Sequence, residues 1–242
     1  MATVKNTLQK APAEKEVTFT ANGQPVKLTL STVKKYLTSG GTNITDQEAV
    51  MFINLCKYQG LNPWLREAYC IKYGSSPATL VTGKEAFLKR ADAQPNYDGS
   101  KAGIVVVDQD GNITYRDGAL VLPNETLVGG WSDVYRKDHS HPKHIEVDLQ
   151  EYIVRTKDGK INDQWTKRPA TMIRKVALVQ ALREAFPENL GSLYVAEEVG
   201  AVEAEGAAMQ EMVPVEQAEV IQPEPVQQEV ITPQAEYSDS LL

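Results

Sequence analysis

The sequence predicts an α+β domain, an antiparallel sheet packed with helices, over residues 17–199. Three observations predict it. Alternating apolar residues are punctuated by hairpin turns, two capping-box motifs open amphipathic segments, and a proline starts a long apolar helix near the end of the domain.

The elements follow in order. Residues 1–16 are polar, without an apolar stretch of secretory type, and are expected to be flexible. Val17 to Thr20 alternates, Asn22-Gly23 is a hairpin turn, and Val26 to Leu30 is the returning strand. Ser31 is then placed to cap a short helix with Val33, Tyr36 and Leu37 on its apolar side, and Gly40-Gly41 to end it. Thr45 and Glu48 form a capping box, in which each side chain accepts from the other residue's amide. The helix that follows places Ala49, Phe52, Ile53 and Cys56 on one face, and Gly60 stops it. Leu61-Asn62-Pro63-Trp64 is a rigid turn. Ala68 to Tyr73 and Thr79 to Thr82 read as strands, and Thr82 with Glu85 as a second capping box before a helix bearing Phe87, Leu88 and Ala91. Strands are expected at Ile104 to Val107, Ile113 to Arg116, Leu127 to Tyr135 and Ile145 to Leu149, with a further turn at Lys157 to Lys160. Pro169 stands where proline suits the first turn of a helix, which runs to about Phe186 before Pro187. From Val176 to Leu182 only Gln180 is polar, so this part is expected to be buried on most sides. Residues 200–242 are rich in Glu, Gln, Pro, Val and Ala and read as a disordered acidic tail.

The net charge of −7 hides an asymmetry. All 25 bases lie at or before Arg183, against 19 of the 32 acids; the remaining 13 acids follow it with no base. The body therefore carries a surplus of about six positive charges, a pattern that suits a nucleic-acid-binding body with an acidic tail and equally a near-neutral domain with a solubilising one. No run of eighteen apolar residues occurs, so no membrane helix is expected. The two cysteines, Cys56 and Cys70, sit in apolar stretches and read as buried, reduced thiols of a cytoplasmic protein.

Several enzyme and metal motifs fail on spacing. Gly83-Lys84 lacks the glycine spacing and the following Ser or Thr of a phosphate loop, and no Gly-x-Gly-x-x-Gly occurs, so no nucleotide cofactor is expected. Asp108 to Asn112 has no glycine at position six and no glutamate at twelve of a calcium loop. His139, His141 and His144 cluster, but no carboxylate or thiol spacing completes a metal set, and a polar loop is the expectation. No nucleophile and base can be singled out as a catalytic pair, so the chain is not expected to be an enzyme.

The basic residues give a positive reading. Lys167, Arg168, Arg174 and Lys175 place four cations around the start of the last helix, with Lys167, Thr171 and Arg174 at helical spacing. Cations beside free helix-start amides suit phosphates; a solvated end of a core helix is the other reading. Trp165 beside this patch supplies an aromatic for base stacking, or else anchors the helix start in the core.

Three segments then match one group of proteins together. They are Gly60-Leu61-Asn62-Pro63-Trp64 with Arg66-Glu67-Ala68-Tyr69; Val134-Tyr135-Arg136-Lys137-Asp138 with His141-Pro142; and Trp165, Pro169, Met172-Ile173-Arg174-Lys175, Ala177, Gln180, Arg183 and Ala185-Phe186. In this order they resemble the phage single-strand annealing recombinases of the Bet (Red-beta) and RecT group, over roughly residues 45 to 199. The resemblance implies a core distantly like the Rad52 annealing domain. It also implies ATP-independent binding of single-stranded DNA and annealing of complementary strands in phage homologous recombination, within the cytoplasm of a bacterial host. Rings or helical filaments holding the annealed duplex are implied too, with a phage exonuclease and a host single-strand-binding protein as partners. Carried over by position, Arg66, Trp165, Arg174, Lys175 and Arg183 become DNA-contact candidates, joined by Lys72, Lys167 and Arg168. The sequence departs from the Red-beta pattern at Ala170-Thr171 and at Val176, where that pattern is basic; Lys167 and Arg168 compensate from the preceding turn. A module that binds DNA only to recruit partners through its tail is the alternative, and a nuclease with an unrecognised site is a third.

Overall fold

A computed structural model describes residues 14–156 and 158–199. The expected looseness of the first thirteen residues and the expected disorder of residues 200–242 lie outside the described residues.

The hairpin forms as the sequence predicts. β1 (Val17–Ala21) pairs antiparallel with β2 (Gln24–Leu28), and Asn22 and Gly23 both take the positive φ that so tight a turn requires. α1 (Leu30–Tyr36) starts earlier than expected. Thr29, not Ser31, caps it by accepting from the Thr32 amide, and Tyr36 is 61% exposed rather than packed. Gly40 also has a role other than ending that helix. β3 (Thr38–Ser39) runs parallel to β4 (Ala68–Ile71), and a Cβ on Gly40 would stand 2.2 Å from the Lys72 carbonyl oxygen.

α2 (Asp46–Tyr58) carries the expected capping box, with Thr45 N–H donating to Glu48 at 2.8 Å and Glu48 N–H to Thr45 at 3.2 Å, and it buries Ala49, Phe52, Ile53 and Cys56. The second expected box does not form. Thr82 ends β5 (Thr79–Thr82) in register with Ala68, so Gly83 becomes the N-cap of α3 (Lys84–Asp92) and no side chain caps it. Both thiols are buried, and burial pushes Cys56 up to about 12 and Cys70 to about 11, so neither is a thiolate near neutral pH.

The strands form three separate sheets rather than one. The largest orders β7 (Ile113–Asp117), β6 (Tyr97–Val107), β8 (Thr126–Arg136) and β9 (Lys143–Asp148) edge to edge, all antiparallel. β6 is seven residues longer at its start than the apolar run alone suggests, because Tyr97 and, after a register shift, Ser100 to Gly103 pair with β8. A short α4 (Leu149–Tyr152), a turn closed by the Arg155–Ile161 bridge and α5 (Asp163–Lys167) lead into α6 (Pro169–Ala185); α7 (Pro187–Leu190) follows.

α6 is the central column. Its first half packs Ile173 and Val176 with Ile104, Val106 and Val147 of the sheet; its second half, through Val179 and Leu182, joins the buried cluster that also holds Phe52, Phe87 and the apolar residues of the first hairpin. The sheet admits the helix closely because Gly130 has no side chain: a Cβ there would stand 2.7 Å from the Ile173 carbonyl oxygen. The expectation that this helix is buried on most sides holds. Among the described residues, no helix is long and apolar enough to cross a membrane.

Candidate nucleic-acid interface

The eight sequence-derived candidates do not converge. Lys167 and Arg168 are exposed, and Arg66 and Arg174 are half-buried. Lys72 points its ammonium at Glu48, 2.8 and 2.9 Å from the two carboxylate oxygens. With the Thr45 and Ala78 amides it holds that carboxylate down to about 2. Lys72 is thus the strut that joins β4 to the capping box of α2. Trp165 is 3% exposed and lies among Ile104, Val147, Met172 and Ile173, while its amide is capped by Asn162. In this conformation its ring anchors α5 in the core.

The α6 cations divide in the same way. Arg174 donates through Nε to the Ala102 carbonyl at 2.9 Å, tying α6 to β6. Lys175 is 8% exposed and faces Glu197 at 3.1 Å. Arg183 forks onto Glu198 at 2.9 and 2.6 Å, lies over the Tyr194 ring at 4.7 Å, and is held charged by that carboxylate. Glu197 and Glu198 thereby strap the segment after α7 back across α6. The expected spacing of Lys167, Thr171 and Arg174 along one helix does not apply, because Arg168 at φ −142° and ψ 47° separates α5 from α6.

Around α5 the described residues present a basic corner. Arg155 and Lys160 project from the turn before α5, and Lys167 and Arg168 from its end; all four are exposed. The turn is rigid. Arg155 donates to the Gly159 carbonyl at 3.2 Å, the Thr156 amide to Lys160 at 2.8 Å, and the Thr166 hydroxyl to Ile161 at 3.3 Å, which locks the turn to α5. Lys167 carries a surface pair with Asp163 at 2.7 Å, a contact weak enough to yield to a phosphate. Beside it, α6 begins at Pro169 with no side-chain cap, so its first amides add positive potential. The sequence reads the Lys157 to Lys160 stretch as a turn only; its alternation of cations with turn residues is the signal that points to Arg155 and Lys160.

The histidines do not assemble a site. His139 and His141 are exposed in the loop, and among the described residues no group of three His, Cys, Asp or Glu is placed to hold a metal. His144 instead sits on β9, stacked on Trp131 with ring centroids 6.4 Å apart, and bonds Asp133 at 2.6 Å and Glu146 at 2.9 Å. Tyr115 donates to the same Glu146 at 2.9 Å. The Glu146 and Asp133 carboxylates raise His144 above its ordinary 6.5. A raised folded value means a stability contribution that is complete below pH 6.5 and lost as pH rises through the folded value. The melting-temperature gap between the parent and a His144→Gln variant should therefore shrink from pH 5.5 to pH 8.5. A gap independent of pH would contradict the bridge.

Among known proteins, the RecT family matches residues 23–211. The chain belongs to that family. One relative is the "Recombination protein bet" of Escherichia phage lambda, 24% identical over 146 residues, which cover 59% of this chain and 48% of that protein. The chain thus spans about half the length of the curated relative it matches. In this RecT-family chain the last part of the resemblance, Met172 to Phe186, lies on α6 and its C-cap, and α6 is a structural column before it is a surface.

Proposed function

We propose that this chain binds single-stranded DNA and anneals complementary strands in phage recombination, without nucleotide hydrolysis and without acting as an enzyme. The observation that carries the reading is family membership over residues 23–211, together with a corner of four exposed cations around α5. Arg155, Lys160, Lys167 and Arg168 form that corner, with the open start of α6 beside them, and together they suit a phosphate backbone with no regard to sequence. Of the family-derived contacts, Arg66 and Arg174 keep partial access to solvent, while Lys72, Trp165, Lys175 and Arg183 act in this reading mainly by fixing the frame.

The proposal includes a distant Rad52-like relation of the core and self-association into rings or filaments that enclose the annealed duplex. Lining up many copies multiplies a short phosphate track into strong binding. The acidic residues 200–242 repel DNA and are proposed to reach protein partners, a phage exonuclease or a host single-strand-binding protein, from the cytoplasm of the host.

The full chain titrated against a labelled single strand tests the first step. Anisotropy should rise with any base sequence and weaken steeply with salt. Binding that is absent, or indifferent to salt, would contradict it.

A further inference from the structure

A carboxylate is buried in the fold without serving the basic corner, and it leads to an exposed tryptophan. Glu67 is 1% exposed, yet three donors meet it: it accepts from Asn22 at 2.8 Å, from the Asn62 amide at 2.8 Å and from Lys89 at 2.6 Å. Its own amide donates to the Asn62 carbonyl at 3.2 Å, and its carbonyl accepts from the Gly83 amide at 3.1 Å. Together these bonds clamp the loop Asn62–Glu67 at both ends, against the first hairpin and the start of α3. Within the loop, Asn62 accepts from the Trp64 amide at 3.0 Å, Pro63 is buried, and Arg66 is held at φ +59°. A non-glycine residue in that region is costly and persists only where its surroundings enforce it.

The clamped loop presents Trp64 at 39% and Leu65 at 50% exposure, the reverse of what burial of apolar surface favours. Two cations flank them. Arg66 follows directly, and Lys84 opens the neighbouring α3, whose N-cap Gly83 lies against Arg66: a Cβ on Gly83 would stand 2.4 Å from the Arg66 carbonyl oxygen. The Lys84 ammonium carries a surface pair with Glu85 at 3.3 Å, a contact weak enough to yield to a phosphate. α3 begins there without a side-chain cap. A partly exposed indole on a clamped loop, next to one arginine and near a lysine at a helix start, has the chemistry of a base-stacking contact with phosphates close by.

We propose that Trp64 stacks on a base of bound single-stranded nucleic acid, with Arg66 and Lys84 pairing with the phosphates beside it. This rests on the reading that the chain binds single strands. Glu67 is the positioning residue, since it fixes the loop without touching the ligand.

The chain holds three tryptophans, and the other two are 8% and 3% exposed at Trp131 and Trp165. Acrylamide, a neutral quencher, therefore reads Trp64 in the full chain, and Trp64→Phe identifies its share of the emission. An oligothymidylate at saturation should quench that share and shield it from acrylamide. An oligonucleotide of the same length with abasic sugars should bind without doing either. Trp64→Ala should weaken binding to oligothymidylate about tenfold and binding to the abasic strand hardly at all, whereas Trp64→Phe should retain most affinity. Unchanged emission and unchanged shielding, with binding complete by anisotropy, would overturn the proposal. So would shielding that grows with protein concentration in the absence of nucleic acid, which would assign the tip to a contact between copies. If anisotropy shows no binding at all, the single-strand reading itself has failed, and the stacking contact falls with it.

Discussion

Alanine in place of Arg155, Lys160, Lys167 and Arg168 together is expected to weaken single-strand binding on the order of a hundredfold at moderate salt, whatever the base sequence. The four side chains are exposed and lie on the turn and helix end that precede α6. Their removal takes away charge without opening the core. Each phosphate left without its cation should lower the slope of log affinity against log salt by about 0.7, so the quadruple change should flatten it by up to about 3. Thermal stability should move little, because the four side chains are exposed and Arg168, which stands between α5 and α6, makes no side-chain cap there; exposed changes of this kind usually cost about 0.5 kcal/mol or less. Unchanged affinity with an unchanged slope would make the corner a solvated face and no more.

Arg183→Ala is expected to act on the fold instead. Arg183 clamps Glu198, whose side chain is 4% exposed, and also donates to the Leu193 carbonyl at 3.2 Å. Breaking one side of so enclosed a pair costs about 3 kcal/mol, because the remaining carboxylate keeps its burial but loses its cation. The segment after Pro187 should become sensitive to protease. Arg183→Ala combined with Glu198→Ala should recover part of the loss, as a coupled pair does. A single variant as stable as the parent but unable to bind DNA would instead make Arg183 a direct contact. The Lys175–Glu197 pair one face over belongs to the same strap. Alanine at Arg174 and Lys175 therefore mixes a frame effect with any phosphate effect, and the exposed corner gives the cleaner experiment.

The legible parts of this fold are those where one local rule decides. Asn22-Gly23, the Thr45–Glu48 box, the α2 face of Ala49, Phe52, Ile53 and Cys56, and the start of α6 at Pro169 each depend on neighbours within a few residues, and each forms as the sequence predicts. The departures occur where a distant partner decides. Thr82 cannot cap α3 because β4 claims it, and Gly40 serves the approach of Lys72 rather than the end of a helix. The polar start of β6 becomes strand because β8 pairs with it. The basic residues show the same division. A lysine or arginine in a sequence is only a charge; whether it meets solvent or a carboxylate is set in three dimensions. Glu48, Glu197 and Glu198 are the partners that periodicity could not assign to Lys72, Lys175 and Arg183.

Above all, the chain is proposed to bring complementary strands together without fuel. The direct measurement mixes two complementary oligonucleotides, one carrying a donor dye and one an acceptor, with the full chain in EDTA and no nucleotide. Energy transfer should appear much faster than without protein, and it should slow for the quadruple variant at the basic corner. Strands that bind the protein but pair no faster than they do alone would contradict annealing, and would leave a DNA-binding module that recruits partners.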